Sequence, residues 1–136
     1  MGRGLATYTI SLETQGRKLF GVSNNIWAAM ACFTAGHTCA WFQLNSQFIW
    51  DWWNDKPLLA VMIYSIPVGM SFWVGSRYMY EETGELWAGR FVGFAASYFV
   101  FPILTWWLHS ESPFTPKTIV CVALSIMILL IQVFWK

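Results

Sequence analysis

Charged side chains are scarce in this sequence of 136 residues: Asp, Glu, Lys and Arg together make up 11%, against about 25% in an ordinary soluble domain. That scarcity excludes a soluble enzyme, a nucleic-acid binder and a disordered chain, each of which needs a hydrated, charged surface. Eight basic against seven acidic residues leave a net charge of +1, so there is no bias toward a polyanionic partner. Cysteine is sparse as well. Cys32, Cys39 and Cys121 each lie in an apolar run, and an odd number cannot all pair internally. No spaced Cys and His cluster offers a metal site, so the three thiols are expected to act as small buried hydrophobes.

Catalytic constellations are missing too. Asp51, Asp55, Glu81, Glu82, Glu85 and Glu111 all fall in or beside the links between apolar runs, and no Ser-His-Asp arrangement is present. An enzyme is not expected, nor a cofactor or a metal. Residues 1–24 are mixed and mostly polar and lack the apolar core of a cleavable signal. With Arg17 and Lys18 beside Leu19 and Phe20, this segment suits a membrane surface.

What fills the rest is hydrophobic, 57% of all residues, with aromatics at 19%. A bilayer core needs roughly 20 mainly apolar residues per helix. Four runs meet that length, at about 26–50, 57–80, 86–109 and 116–135. They are continuous rather than alternating, which excludes a β-barrel. The expectation is therefore an all-α membrane protein: a polar N-terminal segment, 1–24, and a four-transmembrane-helix bundle, 25–136. Links as short as 51–56, 81–85 and 110–115 make neighbouring helices antiparallel. Arg3, Arg17, Lys18, Arg77 and Lys136 then share one side, against Lys56 and Lys117 on the other. Five against two places both termini in the cytoplasm. Trp50, Trp52, Trp53, Trp106 and Trp107 fall at span ends on the low-charge side, as an aromatic belt would. The absence of a targeting segment points to a bacterial or virally encoded inner or plasma membrane.

Function in such a chain is sought at polar groups that cost energy to bury. Thr34, His37, Thr38, Trp41 and Asn45 recur at spacings of three and four, on one face of the first span. His37 lies near its middle. With an unperturbed pKa of about 6.5, it reads either as a proton-linked or substrate-binding group lining a cavity, or as a packing residue bonded to a hydroxyl or carbonyl. Arg90 stands about one turn into the third span. It either snorkels to the headgroups or pairs with Glu81, Glu82 or Glu85, or it anchors an anionic group on a ligand. Pro67 and Pro102 interrupt the second and third spans and predict kinks, each removing one backbone hydrogen bond. Gly89, Gly93 and Ser97 form a small-residue stripe for close helix packing, within the chain or against another copy.

From Ser71 onward the sequence resembles the small multidrug resistance proteins and the wider drug/metabolite transporter superfamily. Ser71-Phe72-Trp73 lies in the second span, and Thr83-Gly84-x-x-Trp87-Ala88 opens the third. A glycine-containing helix then ends near Thr105-Trp106-Trp107. Glu111 follows in a short link, and an apolar last helix closes with Ile131-Gln132-Val133-Phe134-Trp135. The likeness covers roughly 71–135, about half of the chain. It implies four helices per chain, a dimer enclosing one site, and exchange of a small organic solute, commonly against protons. It also implies that Trp87 lines the substrate chamber, with Arg90 where another pocket aromatic is common. The sequence departs from the family in having no Asp or Glu in the first span, where His37 is the nearest titratable residue. It also lacks a glycine-rich fourth helix.

Two functions follow as expectations. One is a transporter whose chamber of His37, Trp41, Trp73, Trp87 and Arg90 takes a neutral or anionic amphipathic or lipid-like solute, in contact with membrane lipids and as a homodimer. The other is a non-catalytic accessory subunit held by other membrane subunits.

Overall fold

Each apolar run becomes one helix, and the links hold the residues that stop one helix and start the next. The computed structural model describes residues 18–19 and 22–135. Residues 1–17, 20–21 and 136 lie outside it. Most of the N-terminal surface segment, and Arg3, Arg17 and Lys136 used for orientation, are therefore not described.

A two-residue antiparallel ladder, β1 (Lys18–Leu19) with β2 (Val22–Ser23), precedes the first helix. The Ser23 hydroxyl accepts from the Ile26 N–H at 3.4 Å and so caps α1 (Asn24–Ile49), satisfying one of the free donors of the first turn. A short 3₁₀ turn (Asp51–Trp53) leads to α2 (Pro57–Thr83), which has proline in its first turn, where no N–H is needed. Gly84 ends α2 at φ 72°, its N–H bonded to the Tyr80 carbonyl. Ser110 ends α3 (Leu86–His109) at φ 58° in the same way. Thr115 then caps α4 (Pro116–Phe134). Both α2 and α3 stay helical through Pro67 and Pro102.

Three helices, α2, α3 and α4, are long and apolar enough to cross a membrane. At 26 residues α1 has the length but not the apolarity, because Asn24, Asn25, Thr34, His37, Thr38, Gln43, Asn45, Ser46 and Gln47 are spread along it. It is also the central helix, packed along both α2 and α3. Ser46 is buried and His37, Thr38, Gln43 and Asn45 are half-buried, so part of this polar surface meets neighbouring helices, while Asn24, Thr34 and Gln47 stay exposed. The α4 helix packs mainly on α3 and buries only 6% of its apolar window, so its surface is left to lipid or a partner.

Aromatic and small residues build the core. Phe33 of α1 is 2% exposed and sits among Ile26, Ala29, Met79, Val92 and Ala96. Gly75, Gly89 and Gly93 all lie against its ring or the adjoining Met79. The stripe of Gly89 and Gly93 thus packs within the chain. Side-chain hydroxyls and amides are satisfied on their own helices: Thr38 bonds the Thr34 carbonyl, Asn45 that of Trp41, Ser97 that of Phe94 and Ser125 that of Cys121. Among the described residues, no buried side-chain nitrogen or oxygen lacks a partner.

Candidate functional site

The polar face of α1 meets α3 along a seam. His37 is half-buried, its ring edge-on to Phe72 with centroids 4.8 Å apart. Its imidazole faces the Gly93 backbone of α3. Beside it is a cleft of about 270 Å³ between α1, α2 and α3, walled by Phe33, Phe72, Ser76, Arg90 and Phe94 among others. The Arg90 guanidinium lies 4.9 Å from the Phe94 ring centroid, a cation–π distance. The only ion pair among the described residues is Arg77–Glu81, at 2.8 Å. Arg90 therefore does not pair with Glu81, Glu82 or Glu85.

His37 also lines a second cavity, of about 100 Å³, with Trp41, Asn45 and Ser97. Trp41 and Asn45 in turn line a third, of about 150 Å³, with Thr105, His109 and Glu111. The three follow one another along the α1–α3 seam, from near the start of α3 to its end. On α3 the row of Arg90, Phe94, Ser97, Phe101, Thr105 and His109, at spacings of three and four, lines them together with Leu86, Gly89, Gly93 and Val100. That repeat is the helical period that keeps one face on one partner; of the α3 residues lining the seam, only Arg90 and the Gly89, Gly93, Ser97 stripe stood out in the sequence. Phe33, one turn before His37, and Phe72 and Ser76 on α2 carried no comparable polar signal.

Trp41 is 3% exposed and donates its Nε1–H to Thr105 Oγ1 at 3.0 Å, the cross-helix bond of the seam. Replacing Thr105 with Val leaves that donor unpaired without changing shape much. The expected loss is about 0.6–1.7 kcal/mol, the range found for interhelical hydrogen bonds in membranes. A detergent-denaturation titration of Thr105→Val against the parent chain checks it, and equal midpoints would show that the bond adds nothing.

The structure does not bring Trp73 or Trp87 to this chamber. Trp73 is 66% exposed and lies 5.9 Å from the Arg77 guanidinium. Trp87 is 70% exposed and stacks on Phe91 at 6.0 Å. The cause is helical phase: each residue turns about 100° from the last. Phe72 and Ser76 form the row on α2 that faces α1, so Trp73 and Arg77 form the next row, outward. In a single chain the expected wall is supplied by Phe72 and Phe94 instead. Thr34 is exposed on α1, outside these cavities, and Thr38 does not line them either.

Compared with known proteins, the chain matches no family model, no curated protein and no solved structure.

Proposed function

We propose that this chain is a small transporter-like membrane protein of four spans with cytoplasmic termini. It would move an amphipathic or lipid-like solute along the α1–α3 seam in the manner of the drug/metabolite transporters it resembles, and would work as a homodimer. The observation that carries this reading is the row of three cavities from Arg90 past His37 and Trp41 to His109. Glycine and alanine at Gly89, Gly93 and Ala96 bring α3 close to α1, yet the adjoining row of the same face stays open. The outward Trp73 and Trp87 suit the walls of a chamber completed by a second copy.

Coupling to protons is assigned to His37. Arg90 from α3 is the one other charged group lining its cleft, and α2 contributes only Phe72 and Ser76 there. Substitution by Gln keeps a polar side chain of similar reach but cannot titrate. His37→Gln is therefore expected to abolish the pH dependence of solute movement in reconstituted vesicles while preserving the fold. A pH profile identical to the parent's would remove His37 from the mechanism.

Purification in mild detergent followed by native mass spectrometry tests the reading as a whole. A homodimer retaining a small solute or lipid supports it. Recovery with several unrelated chains makes the protein an accessory subunit, with the seam as a contact surface.

A further inference from the structure

Arg90 is a cation within an apolar, membrane-length helix that no carboxylate reaches among the described residues. It is exposed and lies four residues into α3, about 6 Å along the axis at 1.5 Å per residue. A helix of this length centred on a core about 30 Å thick would hold that position near the boundary between headgroups and acyl chains. We propose that the cleft between Arg90 and His37 holds the acidic headgroup of a bilayer lipid, whose acyl chain leaves over Phe94 and Leu86 into the membrane. This names the solute class for the seam and rests on the transporter reading given above.

Charge, volume and wall chemistry agree on that occupant. The guanidinium presents a planar fork that binds phosphate or carboxylate oxygens in pairs. Ser76 adds a hydroxyl from the opposite helix. At about 270 Å³ the cleft falls below the roughly 300–1,000 Å³ of sites that enclose a whole drug-sized ligand. It has room for a headgroup and must leave the remainder outside. The remainder meets apolar surface, because Leu86 is 79% and Phe94 47% exposed at the mouth. A cationic headgroup would face Arg90 with no acid to offset it. A wholly water-soluble anion would gain nothing from the phenyl walls of Phe33, Phe72 and Phe94. An arginine that merely snorkels to the interface would attract acidic headgroups only as a point charge, and lysine would serve as well in its place.

The test uses the full chain in mild detergent, with native mass spectrometry as the readout and three probes. Oleoyl lysophosphatidate carries charge and chain, monooleoylglycerol chain alone, and glycerol 3-phosphate charge alone. One lysophosphatidate is expected to stay bound, about tenfold tighter than monooleoylglycerol, as the loss of a charged hydrogen-bonding partner predicts. Glycerol 3-phosphate at equal concentration should not displace it. Arg90→Gln is expected to lose about tenfold in affinity for lysophosphatidate, and Arg90→Lys to fall between that variant and the parent. Equal binding of monooleoylglycerol, or an unchanged affinity in Arg90→Gln, overturns the proposal. Displacement by glycerol 3-phosphate overturns the lipid in favour of a soluble anion.

A photoactivatable lysophosphatidate on the unsubstituted chain keeps the test independent of variant folding. Labelling of the segments around residues 72–76 and 86–94 supports the site, and labelling confined to α4 overturns it. Selective binding without solute movement in vesicles sustains the lipid site and sinks the transporter reading. Movement without lipid selectivity does the reverse.

Discussion

Truncating Phe33 to Ala is expected to cost about 3 kcal/mol, the low end of the range for buried Phe→Ala changes. Lipid solvates a released phenyl group nearly as well as a protein core does, so the transfer part of the usual penalty is small in a membrane. What remains is lost packing and a cavity. Here the cavity cannot close, because three of the surfaces around the ring are glycines: Gly75, Gly93 and Gly89 would place a Cβ at 3.0, 3.6 and 3.9 Å from Phe33 atoms. A glycine has no side chain to swing into a void. Phe33 is also a wall of the Arg90 cleft, so its removal should lower lipid retention along with stability. Phe33→Leu should recover most of both. Unfolding in a denaturing-detergent titration measures the first effect. A shift of less than about 1 kcal/mol would mean that the three helices repack, contrary to the geometry.

The glycines themselves should respond in a fixed order. Gly75→Ala sets a methyl 3.0 Å from the Phe33 ring and 3.2 Å from the Cys32 Cβ, so the ring or α1 must give by a few tenths of an ångström. Overpacking of that kind costs about 1–3 kcal/mol. Gly36→Ala meets the Ser71 Cβ at 3.2 Å and should follow closely. Gly93→Ala and Gly89→Ala meet their nearest neighbours at 3.6 and 3.5 Å, ordinary contact distances, and should be near neutral. Gly69 has nothing within 4 Å and should accept Ala with a small gain from helix propensity. Gly84 has open space but φ 72°, so any side chain there is strained by about 1–2 kcal/mol. Midpoints for the six variants in one titration rank them. If Gly93→Ala proved worse than Gly75→Ala, the closest helix approach would be misplaced.

That order also shows where pattern reading fell short. The Gly89/Gly93 stripe is the conspicuous small-residue repeat, yet the tightest contact is between α1 and α2 at Gly36 and Gly75. Their own repeat, Cys32-Gly36-Ala40 against Ser71-Gly75, is equally regular once cysteine and serine are counted as small. The site was legible in the same partial way. His37, Trp41 and Asn45 share a face because their spacing is helical, and the seam uses all three. Arg90 stood out by charge in an apolar run. Trp73 and Trp87 drew attention as aromatics in family-like motifs, but residue type does not tell which way a side chain points.

The helices are written in local residue chemistry. Their ends follow from local chemistry: Pro57 and Pro116 at first turns, Ser23 and Thr115 as caps, and Gly84 where the backbone turns left-handed. Their length and apolarity make three of them able to cross a membrane. Which helix lies at the centre emerges from packing; the fold places α1 there. Hydropathy ranks α1 lowest of the four, and the fold puts it between α2 and α3, where His37, Trp41 and Asn45 meet protein. The tertiary structure also decided that the open groove runs between α1 and α3, and that Phe72 rather than Trp73 faces His37. Those outcomes depend on the rotation of each helix about its axis. That rotation is set by how Phe33 seats among Gly75, Gly89 and Gly93, a contact between residues dozens of positions apart, which no local pattern encodes.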